Sequence, residues 1–200
     1  MATYVLVHGG DRDGHIWEGV ARLLRHQGNQ VFCPSMKSIK ETTLQHNINE
    51  ICELIQANQL NDIILVGHSY GAMVITGVLN QLSDAIRCMV YIDSVIPQSG
   101  KSLFALLAEN GFNDESLGLT PDTPCIEPLL FDENKLKEKL KAYIHCLKSE
   151  FSAATKPFYD NLIKTSTTNH WLYFDLNTTH ACMLTQPDAL AVILAGMQVL

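Results

Sequence analysis

"LVGHSYGAMV" (residues 65–74) is an apolar run that halts at a glycine and resumes with helical spacing. Ser69 stands at its centre, with Gly67 two residues before it and Gly71 two after. Upstream, "DIILVG" (62–67) reads as a buried strand; downstream, Met73, Val74, Val78 and Leu82 mark one face of a helix. A serine at such a junction takes a strained backbone conformation, and side chains two positions away would strike the adjoining strand and helix. Glycine removes both collisions. The stretch is therefore G-x-S-x-G in a strand–turn–helix context, a turn that lifts the serine oxygen to the carboxyl edge of a sheet.

The same alternation extends in both directions. "TYVLVH" (3–8) is a short strand closed by Gly9-Gly10, and Ile16, Val20, Leu23 and Leu24 follow with helical spacing up to Gly28. "QVFCP" (30–34) is a strand. Thr42 or Thr43 caps a helix marked by Leu44, Ile48, Ile51 and Ile55, and "IRCMVYID" (86–93) is a further strand. Strands apolar throughout, alternating with helices, specify an open, doubly wound α/β fold with a mostly parallel sheet. From Pro97 to about Lys141 the rhythm fails: four prolines and the apolar patch "SLFALLAENGF" suggest an inserted helical cap. A strand at 142–147, a helix at 154–165, a strand at 171–176 and a helix at 186–199 complete a single domain of 200 residues.

Composition narrows the partners. The net charge is −7 and no basic stripe exists, which argues against nucleic acid or an anionic membrane surface. No apolar stretch approaches a membrane span, and the N-terminus lacks the features of a signal peptide. The six cysteines (Cys33, Cys52, Cys88, Cys125, Cys146, Cys182) show no metal spacing and read as buried thiols in a reducing cytoplasm. No metal and no cofactor is expected; the state of association, monomer or homodimer, stays open.

A serine hydroxyl needs a base, and the base needs an orienting acid. Among eight histidines, His180 fits the base: it follows the strand 171–176 and so lies on the same sheet edge as Ser69. His8 and His68 flank strand ends and are expected to hydrogen-bond locally. His145 reads as packed within a strand, and His15, His26, His46 and His170 as solvated. The glycines after the first strand offer backbone N–H groups, so Gly10 and Tyr70 are the expected oxyanion donors.

"YVLVHGG", "GHSYGAMV" and "THACMLTQPDAL" together resemble the α/β-hydrolases, in particular the small-esterase branch of plant methyl esterases, hydroxynitrile lyases and bacterial carboxylesterases. The resemblance implies a six-stranded parallel core, Ser69 as nucleophile and His180 as base. Lyases of this branch carry a lysine directly after the catalytic histidine; here Ala181 stands there, which favours ester hydrolysis. Relatives place an acidic residue in a turn after the next-to-last strand, where this chain has "CLKSEF" with Ser149 at that place and Glu150 one position late. Asp93, at the end of "MVYID", is the other candidate, and the absence of a working acid is the third alternative. Asp93 is preferred because a strand end is fixed by its ladder, whereas Glu150 must immobilise a longer side chain on a turn. The expected function is a serine hydrolase acting on a small to medium ester or thioester. The altered acid turn keeps open a ligand-binding or sensing protein on the same scaffold.

Overall fold

The computed structural model describes residues 1–38, 40–112, 122–165 and 170–199. Its centre is a six-stranded sheet in the order β2-β1-β3-β4-β5-β6. The strands are β1 (Thr3–Val7), β2 (Gln30–Phe32), β3 (Ile63–His68), β4 (Ile86–Ile92), β5 (Leu140–Cys146) and β6 (Trp171–Leu176). Every neighbouring pair is parallel, so each connection must cross a face of the sheet.

Alternate residues of each strand enter two separate apolar layers. Val5, Val7, Ile63, Leu65, Met89 and Tyr91 face one layer with α2 (Leu44–Ala57) and α3 (Gly71–Leu82). Tyr4, Leu6, Ile64, Val66, Cys88 and Val90 face the other, which includes α1 (Glu18–His26) and residues of the C-terminal helices. This double burial is why the strands read as apolar throughout.

Local signals set most boundaries. The Thr43 side chain accepts the His46 N–H at 3.1 Å and starts α2, and Gly28 turns the chain after α1 at φ 83°. Several boundaries differ from the sequence reading, two of them for a reason visible in the side chains. The first helix opens as a 3₁₀ turn, Gly14–Trp17, because the Asp13 side chain caps it by accepting the His15 N–H. β5 begins at Leu140, two residues early, because Lys141 is buried: its ammonium donates to the carbonyls of Leu136, Lys137 and Lys139. Burial holds that amine down at about 8. A lysine that ends its side chain on three carbonyls can lie in a buried strand, which an apolar-run criterion cannot foresee.

Between β4 and β5 lie the short helices α4 (Leu103–Glu109), α5 (Thr123–Ile126) and α6 (Glu133–Glu138), while the part of the expected cap at 113–121 lies outside the described residues. Lys101 and Leu129 pair in an isolated antiparallel bridge. Within this region Leu106, Leu129 and Phe131 are buried, but Leu130 is 75% exposed. After β5 come α7 (Ser152–Thr165), β6, α8 (Cys182–Thr185) and α9 (Pro187–Gly196). The closing helix expected at 186–199 is observed as α9 from Pro187 followed by a 3₁₀ turn at Met197–Val199, and Gln186 at φ −141° separates it from the short α8 that precedes it.

Candidate active site

Ser69 sits directly after β3 with φ 54°, a left-handed conformation that a non-glycine residue holds only under strain. A Cβ on Gly67 would fall 2.7 Å from the Gly71 carbonyl oxygen, and one on Gly71 would fall 2.8 Å from the carbonyls of Val7 and His8. The two glycines are therefore required by close backbone approach. The turn is anchored: Ser69 N–H donates to Ile92 O at 3.1 Å, and Ala72 N–H to Ser69 O at 3.0 Å. The loop after β1 closes against it, since a Cβ on Gly9 would lie 3.0 Å from the Ser69 Cβ.

Asp93 follows β4 and, at φ 43°, is also left-handed. Its N–H donates to Ile144 O at 2.9 Å, extending the ladder by one residue and fixing where the side chain starts. The carboxylate is fully buried. One oxygen, Oδ2, lies 2.6 Å from His180 Nδ1, and the other accepts the Thr155 hydroxyl at 3.0 Å. A buried carboxylate tolerates removal from water only with such partners.

His180 is gripped on every side. Its backbone N–H donates to Glu150 Oε2 at 3.2 Å. Its carbonyl accepts from His68 Nε2 at 3.0 Å, the two imidazole rings lie 4.4 Å apart, and the Phe151 ring meets the His180 ring edge-on at 4.7 Å. Asp93 therefore reaches the ring, while Glu150 reaches the backbone of the same residue. His8 does bond locally, through Nδ1 to Gly9 O at 2.7 Å, and its Nε2 also accepts the Met36 N–H. His68 departs from expectation: it bonds across 112 positions of chain to the histidine loop. Burial, then the neighbouring His180, holds the His68 imidazole well below its ordinary pKa, so it is a neutral strut.

Ser69, Asp93 and His180 line one cleft of about 50 Å³, with Ser94, Val95, Leu103, Leu107, Phe151, Ala154 and Thr155. Thr155, Phe151 and Ser94 were not singled out from the sequence. Phe151 closes the turn after β5 and Thr155 lies in the helix that follows it, but nothing local marks them. Among the described residues no group of three or more His, Cys, Asp or Glu side chains could hold a metal ion, and no helix is long and apolar enough to cross a membrane.

The profile of the alpha/beta hydrolase family matches residues 4–136. The chain belongs to that family. As an alpha/beta hydrolase it is 41% identical over 115 residues to a carbendazim hydrolyzing esterase from Nocardioides sp. (strain SG-4G), a match covering 54% of this chain and 48% of the relative. It is 27% identical over 108 residues to methylesterase 8 of Arabidopsis thaliana, covering 50% of this chain and 40% of the relative. The chain thus matches about half or less of the length of these curated relatives. Among solved structures, an extracellular α/β-hydrolase from a Paenibacillus species superimposes with a TM-score of 0.79 at 20% identity, covering 98% of this chain and 99% of the other. A pyrethroid hydrolase from Sphingobium faniae JZ-2 gives 0.78 at 17% identity, covering 98% and 96%. At these identities the likeness speaks for the fold.

Proposed function

We propose that this chain is a carboxylesterase-type serine hydrolase that cleaves a small ester through an acyl-serine intermediate. The observation that carries the reading is the 2.6 Å bond between Asp93 Oδ2 and His180 Nδ1, in the same cleft as a serine held at a strained elbow. With Nδ1–H donated to Asp93, the His180 Nε2 is the basic nitrogen. It takes the proton of Ser69 Oγ as that oxygen attacks the ester carbonyl, and the buried carboxylate stabilises the resulting imidazolium. The N–H groups of Gly10 and Tyr70 are the donors assigned to the oxyanion. His180 then returns its proton to the leaving alcohol, and a water activated the same way releases the acid and Ser69.

The esterase names of the relatives in Nocardioides and Arabidopsis agree with this reading. So does cleft size: about 50 Å³ is roughly a third of a cavity that takes benzene, room for a group of about two non-hydrogen atoms. The ligand-sensing alternative drew on the altered acid turn, and Asp93 supplies a carboxylate to the histidine from another strand. The test is labelling with a fluorophosphonate probe together with turnover of p-nitrophenyl esters of increasing chain length. Labelling confined to Ser69, lost in Ser69→Ala along with turnover, is the expected result. An alanine variant that still hydrolyses the esters would refute it.

A further inference from the structure

One buried polar group in the cleft takes no part in the proton relay. Ser94 follows Asp93 and is 2% exposed. Its backbone is fixed from both sides by the buried Tyr143 phenol, which accepts the Ser94 N–H at 3.1 Å and donates to the Ser94 carbonyl at 2.5 Å. Its position is thus set by the sheet, since Tyr143 lies in β5. Yet its hydroxyl finds no hydrogen-bond partner among the described residues. Burying a hydroxyl unpaired costs stability, and such groups in folded proteins call for a reason. Of the other residues lining the cleft, Val95, Leu103, Leu107, Phe151 and Ala154 are apolar, Asp93, Thr155 and His180 are bonded to one another, and Ser69 is the nucleophile of the proposed reaction.

We infer that Ser94 is a specificity-determining residue whose hydroxyl hydrogen-bonds a small polar group of the substrate. The inference rests on the hydrolase reading and deepens it. The substrates it selects are short esters bearing a hydroxyl, or a comparable hydrogen-bonding atom, one carbon from the ester carbonyl or two carbons from the ester oxygen. A hydroxymethyl group has two non-hydrogen atoms and fits a cleft of about 50 Å³. An ethyl group of the same shape would enter but leave the Ser94 hydroxyl unpaired, and a site built to bond a hydroxyl discriminates against the analogue that lacks it. The polar group belongs to the acyl half or to the alcohol half, and both give the same chemistry at Ser94.

Two pairs of near-isosteric esters separate the halves: methyl glycolate against methyl propionate, and 2-hydroxyethyl acetate against propyl acetate. For each pair the hydroxyl-to-alkyl ratio of kcat/KM is measured in the native chain and in Ser94→Ala, and dividing one ratio by the other cancels intrinsic reactivity. One hydrogen bond predicts a quotient of about 10 in one pair and about 1 in the other. Thermal unfolding of Ser94→Ala, free of ligand, should show a Tm equal to or above the native value. Fluorophosphonate labelling of Ser69 with a quotient near 1 in both pairs overturns the assignment and leaves the hydrolase reading standing. A Tm lowered by several degrees shows a structural partner for the hydroxyl and overturns it as well. Absence of both labelling and turnover overturns the hydrolase reading, and this inference with it.

Discussion

Replacing Asp93 by asparagine tests the relay at its most buried point. The carboxylate has no exposure to water and stands 2.6 Å from the His180 ring nitrogen. Treating the charges as about 4 Å apart at an effective dielectric constant of about 20, the imidazolium that forms during attack gains about 4 kcal/mol. Each 1.36 kcal/mol is tenfold in rate, so loss of the charge should lower kcat by about 10³-fold. A second effect adds to this. Thr155 donates to Oδ1 at 3.0 Å, which favours the amide oxygen at that place and turns the NH₂ toward His180. Nδ1 must then accept, the proton moves to Nε2, and the nitrogen facing Ser69 is no longer basic. A loss of about 10³ to 10⁴ is therefore expected, comparable with the effect of the equivalent change in serine proteases. Steady-state hydrolysis of p-nitrophenyl acetate measures it, with circular dichroism to confirm an intact fold. A variant within tenfold of the native kcat would refute the claim that Asp93 acts on the base.

Glu150→Gln should cost no more than about threefold in kcat, because an amide oxygen can still accept the His180 N–H and the residue is exposed; a loss as large as that of Asp93→Asn would show that Glu150 works on the ring. Thr155→Val should lower kcat about tenfold with KM unchanged, and Thr155→Ser should restore it, since only the hydroxyl bonded to Asp93 matters; equal losses in both variants would point to packing instead. Stability should fall on mild acidification. Burial lowers the folded-state pKa of both His8 and His68 below the ordinary value of about 6.5. Below that value the unfolded chain binds more protons than the folded one, so stability present at pH 7 is lost as pH falls, by at most about 1.4 kcal/mol per pH unit for each histidine. Urea unfolding midpoints at pH 7 and pH 5.5 measure this, and equal midpoints would contradict it.

The architecture and the strained turn that carries Ser69 were legible in the sequence alone. Strands buried on both faces must be apolar throughout, and the close approach of Gly67 and Gly71 to neighbouring backbone leaves only glycine at those places. Such constraints act within a few residues, so they are written locally. The place of His180 was also legible, because chain order in a parallel sheet puts the loop after β6 on the same edge as the turn after β3. The partner of the base belongs to the tertiary structure. Asp93 and Glu150 both follow strands that run to the same edge, and their sequence contexts cannot rank two carboxylates separated from His180 by 87 and 30 residues. What ranks them is where the ladder stops: Asp93 is held by Ile144 and bonded by Thr155, whereas Glu150, on an exposed turn, meets the backbone first. The buried Lys141 of β5, the His68 strut and the unpaired Ser94 hydroxyl are of the same kind. Each is a polar group whose burial is decided by partners distant in the chain, and no local periodicity encodes those partners.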